Sequence, residues 1–222
     1  MPRAIVFANG LLPDISSELF HGDTNPIHRL IGPADLLIAA DGGTRHVLSL
    51  GLTPSFIIGD LDSLTVDDRR WTNEKGVRLI QFPADKNETD LELAIHFAVE
   101  QGCSEIVIVA ALGGRLDQTL GNLSLLNAPE LAAIDIRLDD GVEEVLLTHG
   151  TCKISGKPGD LVSLLPWGGD ATGVCTEGLR WVLHSETLHQ YKTRGISNEL
   201  LGETASIKIS SGSLLVVHRR SI

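Results

Sequence analysis

The sequence predicts an α/β fold. An N-terminal doubly wound, mainly parallel sheet domain spans residues 1–140, and a smaller all-β sandwich or barrel domain spans 141–222. Two observations predict it. In the first part, continuous apolar runs of strand length alternate with helical patterns, as in a parallel sheet covered on both faces. After "DDG" at 139–141 the helical patterns stop, and short β-rich runs separated by Gly, Pro and Asp take over.

The elements follow in order. "RAIVFAN" reads as a buried strand, followed by "DLLIAAD" (35–41), "SFIIGD" (55–60), "VRLIQF" (77–82) and "EIVIVAAL" (105–112). Helices are expected between them. "GTRHVLSLG" puts Val47 and Leu50 on one face and stops at Gly51. "ETDLELAIHFAVEQG" (88–102) spaces Leu91, Ile95 and Ala98 helically and also stops at Gly. "LDQTLGNLSLL" (116–126) does the same with Leu116, Leu120 and Leu123. The β-rich runs are "EEVLLTHG", "TCKISG", "DLVSLLPW", "TASIKISSG" and "SLLVVHRR".

Composition narrows the function. The 222 residues are 42% hydrophobic, enough for one large domain or two modest ones, and carry a formal net charge of −11. Such an acidic chain is a poor general binder of nucleic-acid phosphates, so no nucleic-acid partner is expected. Cys103, Cys152 and Cys175 are far apart and include no C-x-x-C pair, which fits a reducing compartment. No apolar run reaches membrane-spanning length and "MPRAIVFANG" is no signal peptide, so a cytoplasmic protein without a membrane partner is expected.

Ligands of open α/β sheets bind outside the carboxyl ends of the strands. Here those ends carry "ADGG" (Asp41, Gly42, Gly43), "GDLDS" (Gly59, Asp60, Asp62, Ser63), "DKNETD" (Asp85, Asp90) and "GGRLDQ" (Gly113, Gly114, Arg115, Asp117). GDLDS is either a turn with Asp accepting backbone hydrogen bonds or a Mg²⁺ site. An i, i+2 pair on an extended segment points both carboxylates one way, and Mg²⁺ favours hard oxygen ligands shared with phosphates. Asp85 and Asp90 strengthen the metal reading, because neighbouring carboxylates repel without a cation. DKNETD also suits a helix N-terminus capped by Asn87 or Thr89. GGRLDQ is either a Gly-Gly turn into a helix or a phosphate cradle in which Arg115 supplies a bidentate donor. "GTCKISGKPG" is no P-loop: five residues separate Gly150 from Gly156, and Pro158 stands where Ser or Thr should ligate magnesium. G-x-G-x-x-G, G-x-S-x-G and H-E-x-x-H are absent. By spacing alone Trp181 reads as core, and Ser197 and Asn198 as a turn.

"ADGGTRHVLSLGLTPSFIIGDLDSL", "DKNETDLELAI", "GGRLDQTLGNLSLL", "EGLRWVLHSETL" and "SNEL" occur in this order across nearly the whole chain. Together they resemble the thiamine pyrophosphokinase (thiamine diphosphokinase) family. The resemblance implies Mg²⁺-dependent transfer of pyrophosphate from ATP to the thiamine hydroxyl, giving thiamine diphosphate and AMP. It implies an α/β catalytic domain followed by a β-sandwich domain that binds thiamine and dimerises. It also implies a homodimer, with thiamine held between the catalytic domain of one chain and the β domain of the other. Carried over by position, Asp60, Asp62 and Asp90 match magnesium and phosphate-handling residues, and Arg115 and Asp117 lie at the reacting phosphates. Asp41, Gly42, Gly43, Gly113, Gly114, Arg115 and Gln118 form the nucleotide-binding set. Trp181, Ser197 and Asn198 match the thiamine pocket. Asp117 or one of the GDLDS pair is the candidate to orient or deprotonate the hydroxyl. Gln118 stands where many bacterial members have His, and Lys86-Asn87 where Q-D is common, which removes one carboxylate.

Two alternatives share the Asp-rich rim. One is a pyrophosphokinase for another hydroxyalkyl heterocycle such as a hydroxymethylpterin. The other is a non-catalytic nucleotide or thiamine sensor. Trp181 and Ser197-Asn198 favour thiamine, and the complete Asp and Arg set favours catalysis.

Overall fold

After Arg3 the chain has four apolar residues with no turn former among them, and these make the first strand, β1 (Arg3–Phe7). The computed structural model describes residues 2–13, 25–62 and 64–221. The chain divides into two compact units, Met1–Asp140 and Gly141–Ile222.

In the first unit β1 is joined by β2 (Leu36–Ala40), β3 (Phe56–Gly59), β4 (Arg78–Gln81), β5 (Glu105–Val109) and β6 (Asp135–Asp139). They run parallel in the spatial order β6-β5-β1-β2-β3-β4. Val6 lies opposite both Ile38 and Ile108. Alternate residues point to opposite faces of a strand, and here both sets are buried. Ile5, Phe7, Ala39, Ile57, Val107 and Val109 share one apolar cluster with Val47 and Trp71. Ala4, Val6, Ile38, Ile58, Ile106 and Ile108, of the other parity, are equally buried. That is why these strands read as unbroken apolar runs.

Among the described residues four α-helices accompany the strands: α1 (Thr44–Ser49), α2 (Val66–Lys75), α3 (Asp90–Glu100) and α4 (Leu116–Leu125). α3 starts two residues later than its pattern suggests, because Thr89 caps it by accepting from the Glu92 N–H at 3.2 Å. It buries Leu91, Ala94, Ile95 and Ala98 and packs on β1, β2 and β3. α2 was not foreseen. Its sequence, VDDRRWTNEK, is nearly all polar and carries no apolar stripe. Its signal lies at the ends: a capping box between Thr65 and Asp68, and a left-handed Gly76 that stops it. α4 departs from expectation differently. Its apolar stripe is largely exposed, with Leu116 at 71% and Leu120 at 47%, and the residue it buries is Asn122. β6, "DIRLD", was also not foreseen. Three of its five residues are polar, yet Arg137 is satisfied by Glu105 on β5 at 3.0 Å.

The second unit is antiparallel. Its strands are β7 (Glu143–Thr148), β8 (Thr151–Ser155), β9 (Leu161–Pro166), β10 (Ala171–Glu177), β11 (Glu186–Leu188), β12 (Asn198–Glu199), β13 (Thr204–Lys208) and β14 (Leu214–Arg219). They form the ladders β12-β9-β14-β7 and β11-β10-β13-β8. One core takes Val162, Leu164, Leu214 and Val216 from the first ladder, and Ile154, Val174, Leu188 and Ile207 from the second.

A buried ionic knot lies beside this core. The His218 side chain is fully buried; its Nε2 lies 3.0 Å from Asp160 Oδ2 and its Nδ1 3.4 Å from Glu144 Oε2. Asp160 Oδ1 accepts from the N–H of Ser221 at 2.7 Å and from its hydroxyl at 2.6 Å. Burial pushes the His218 imidazole down, but the Glu144 and Asp160 carboxylates outweigh it and raise it above its ordinary value. Burial would raise the Asp160 carboxyl, but its bonds to Ser221, Lys157 and His218 hold it well below the usual carboxylate range. Among the described residues no helix is long and apolar enough to cross a membrane.

Candidate active site

β1 lies between β5 and β2. From β1 the chain moves outward through β2, β3 and β4, then returns to β1's other side as β5. The segments after β1 and β5 therefore diverge and open a crevice at the strand ends, where such sheets place ligands. A cavity of about 520 Å³ lies there. Asn9 and Gly10 line it after β1, Asp41 and Gly42 after β2, and Asp60 after β3. Lys86 and Asp90 line it at the start of α3, and Gly113, Gly114, Arg115 and Gln118 do so ahead of and within α4.

Asp41, Asp60 and Asp62 each offer a carboxylate oxygen, and the three oxygens lie within 4.8 Å of one another. The way the pair at 60 and 62 arises corrects the extended-segment expectation. Leu61 between them is left-handed, with φ 61°, and its side chain is 1% exposed. The Asp62 N–H donates to Asp60 Oδ1 at 3.3 Å. A turn, not a strand alternation, thus gathers the two carboxylates. Its backbone is pinned: Gln81 donates to the Asp60 carbonyl at 3.0 Å and Arg69 to the Leu61 carbonyl at 2.8 Å. The turn and metal readings are therefore compatible. Asp41 joins from β2 with φ 38°, an uncommon backbone for a non-glycine residue. Gly59 makes the approach possible, because a Cβ there would stand 2.8 Å from Asp41 Cβ and 3.1 Å from Asp90 Oδ1. The set is all hard oxygen, which fits Mg²⁺.

Asp90 sits at the same rim, and its Oδ1 accepts from Lys86 Nζ at 2.5 Å. Asp85 is exposed and is not part of the lining. Ser63 lies outside the described residues. Gly43 is buried behind Gly42 and the cavity does not reach it. Gly113 and Gly114 are both left-handed, at φ 74° and 72°. Arg115 directly precedes α4 and grips Asp117 with both arms of its fork, Nη2–Oδ2 at 2.5 Å and Nε–Oδ1 at 3.1 Å. This fork lowers the Asp117 carboxyl and raises the Arg115 guanidinium. Arg115 lines the cavity while Asp117 stands outside it.

Sequence reasoning missed Asn9, Arg45 and Asn122, all of which line the cavity. For Asn9 the signal was present: it follows β1, and the rule applied to the other strand ends covers it. Asn122 donates to the Ala111 carbonyl at 2.8 Å and fastens α4 to the segment after β5.

In the second unit, Trp181 is 47% exposed and so is not simply core. Asn198 is buried and bridges both backbone groups of Trp181. It accepts from the Trp181 N–H at 3.0 Å and donates to the Trp181 carbonyl at 2.7 Å. Ser197 is left-handed, with φ 60°, and its N–H donates to Ser163 Oγ at 3.0 Å. A hollow of about 50 Å³ lies among Trp181, Leu183, Arg194 and Asn198. The Arg180 guanidinium stands 5.1 Å over the Trp181 ring and pairs with Glu199 at 2.8 Å.

Comparison with known proteins assigns each unit a counterpart. The family model described as "Thiamin pyrophosphokinase, catalytic domain" matches residues 27–138, and that described as "Thiamin pyrophosphokinase, vitamin B1 binding domain" matches residues 151–216. The chain is 31% identical over 201 residues to the thiamine pyrophosphokinase of Bacillus subtilis, covering 88% of this chain and 94% of that protein. A crystal structure of thiamine pyrophosphokinase from Bacillus subtilis superposes with a TM-score of 0.83 at 26% identity over 100% of both chains. Thiamin pyrophosphokinase from Candida albicans shares the fold at 16% identity, with a TM-score of 0.78 over 98% of this chain and 88% of that one.

Proposed function

The chain belongs to the thiamine pyrophosphokinase family, whose members are ATP-dependent kinases, and we propose that its Asp-lined crevice carries out the family's reaction. The chain transfers the terminal pyrophosphoryl group of ATP to the thiamine hydroxyl, leaving AMP. The observation that carries the site is the gathering of carboxylate oxygens of Asp41, Asp60 and Asp62 within 4.8 Å of one another, just past the carboxyl ends of β2 and β3. Those three, with Asp90 beside them, would hold Mg²⁺. When bound, the ion neutralises charge on the phosphates and organises their oxygens.

The chain's own residues do the rest by position. Phosphoryl-type transfer needs in-line alignment and stabilisation of spreading charge more than covalent help. Gly42, Gly113 and Gly114 let backbone come close to the nucleotide, and Gln118 contributes a neutral donor on α4. Arg115 leaves or shares Asp117 to present its fork to phosphate oxygens. The acceptor for the attacking hydroxyl is one of Asp60 and Asp62, or Asp117 once it is released from the fork.

The β unit, from residue 141 onward, supplies the thiamine wall through Trp181, Ser197 and Asn198. Its hollow of about 50 Å³ is far smaller than the roughly 300–1,000 Å³ of a ligand site. At Trp181 the described residues thus offer a wall that another surface completes, and in a homodimer a second chain would supply that surface. Arg180 already occupies one face of Trp181, leaving the opposite face for the ligand. The free thiols of Cys103, Cys152 and Cys175 fit a reducing, cytoplasmic setting.

The test is product formation. AMP and thiamine diphosphate should appear only when thiamine, ATP and Mg²⁺ are all supplied. Asp60→Asn keeps shape and loses charge, so turnover should fall well over tenfold, more than ~1.4 kcal/mol of transition-state stabilisation. Near wild-type turnover in that variant would remove Asp60 from the metal site.

A further inference from the structure

We propose that Lys86 is a movable counter-ion that holds Asp90 in the nucleotide-free enzyme and passes to the phosphates when the metal–nucleotide complex arrives, so that metal and nucleotide bind together and not one before the other. The proposal rests on the metal site described above. Lys86 Nζ meets Asp90 Oδ1 at 2.5 Å, with side-chain exposures of 13% and 31%, and both residues line the cavity. The spacing is i, i+4, but this is not the familiar pair on a helix face: Lys86 precedes Thr89, the N-cap of α3. An ammonium at a helix N-terminus opposes the macrodipole, so α3 gains nothing from its charge. Lys86 is explained by what it faces, which is the crevice.

Charge decides the consequence. The lining carries the acidic Asp41, Asp60, Glu88 and Asp90 together with the basic Arg45, Lys86 and Arg115. The Arg115 fork is closed on Asp117. Lys86 is a compact ammonium on a flexible four-carbon stem with rotatable donors, so it changes partner without rebuilding its surroundings. A bare divalent ion approaching Asp90 meets a like charge already seated there. A triphosphate approaching with its ion attracts that same charge away from Asp90 and frees the carboxylate. Lys86 thus opposes metal alone and favours metal with nucleotide. This is a positive coupling between the two ligands and is reciprocal by linkage.

The experiment compares wild type, Lys86→Met and Lys86→Arg. Mn²⁺ alone is titrated into nucleotide-free protein by electron paramagnetic resonance, and a non-hydrolysable ATP analogue is titrated with Mg²⁺ by calorimetry. In Lys86→Met, Mn²⁺ alone should bind about tenfold tighter and the Mg²⁺–analogue complex about tenfold weaker. Lys86→Arg keeps the charge, and both affinities should stay within about threefold of wild type. A damaged fold weakens both ligands, whereas the proposal requires opposite directions. Unchanged or weaker Mn²⁺ binding in Lys86→Met overturns it. Asp60→Asn separates the two levels: if it abolishes Mn²⁺ binding while Lys86→Met does not tighten it, the counter-ion role fails and the metal site stands. If Asp60→Asn binds Mn²⁺ like wild type, both fall.

Discussion

Leu61 shows how a single residue can serve core and site at once. Its side chain is 1% exposed, and its left-handed backbone turns the chain so that Asp60 and Asp62 approach Asp41. A non-glycine residue in this region costs about 1–2 kcal/mol, which burial of a leucine, at roughly 1.5–3 kcal/mol, offsets. Arg115 permits a sharper prediction. Arg115→Lys keeps the charge but loses the planar fork that closes on Asp117 and that would grip phosphate oxygens. Turnover should drop by at least about tenfold while the thiamine KM changes little; steady-state kinetics decide it. Unchanged turnover with a raised thiamine KM would place Arg115 elsewhere. At this scale the site was legible where residues sit directly at strand ends, as with Asp41 and Asp60. Arg45 was not legible, because a six-residue helix such as α1 has no periodicity from which to read which side meets the cavity.

Among the elements, the inner parallel strands β1, β2, β3 and β5 were legible because both faces are apolar, whereas β6 was not because three of its five residues are polar, and α2 was not because neither of its faces is apolar. α2 shows that capping chemistry alone can mark a helix: Thr65, Asp68 and Gly76 bound it while its interior carries no core stripe. The stripe of α4 misled in the opposite sense, since Leu116 and Leu120 face outward; periodicity reports a face, not what covers it. β14 carries the element-scale prediction. His218 on this strand joins Asp160, ahead of β9, to Glu144 on β7, and Arg220 stands 3.5 Å from the same Glu144. The imidazole is raised above its ordinary 6.5 by the two carboxylates, against burial and the Arg220 charge. A group raised in the fold contributes stability that is complete below its unfolded value and is lost as pH climbs through the raised one. Asp160, held low, loses its contribution only as pH falls far into acid. His218→Gln takes the imidazolium from buried Asp160, which keeps Ser221 and the Lys157 N–H, and from partly buried Glu144, which keeps Arg220, at a cost of about 1–3 kcal/mol at pH 6. The cost should shrink as pH climbs through the raised value, where wild type gives up the charge. Urea unfolding across that rise measures it, and a cost that does not change with pH would mean that the imidazolium does not hold the knot.

For the whole molecule, the governing question is whether one chain suffices for one site. The acidic crevice lies wholly in the first unit, whereas Trp181 and Asn198 belong to the second, where exposed Trp181, Val182, Ile196 and Leu201 present apolar surface. The sequence separates these two chemistries cleanly at the "DDG" of 139–141. Its patterning reports each chain's own core and is silent on what a second copy supplies. If a site takes its rim from one chain and its thiamine wall from another, the two lesions should complement. Asp60→Asn spoils the rim and spares the wall, and Trp181→Ala does the reverse. Each homodimer should be nearly inactive. In a two-fold dimer the same patches meet twice, so a mixed dimer holds one site with both lesions and one with neither. Mixing the variants under conditions of subunit exchange should restore activity to at most about half of wild type per heterodimer. Differently tagged chains purified together establish that the heterodimer has formed. If it forms and no activity returns, the shared site is wrong and the β unit serves its own chain.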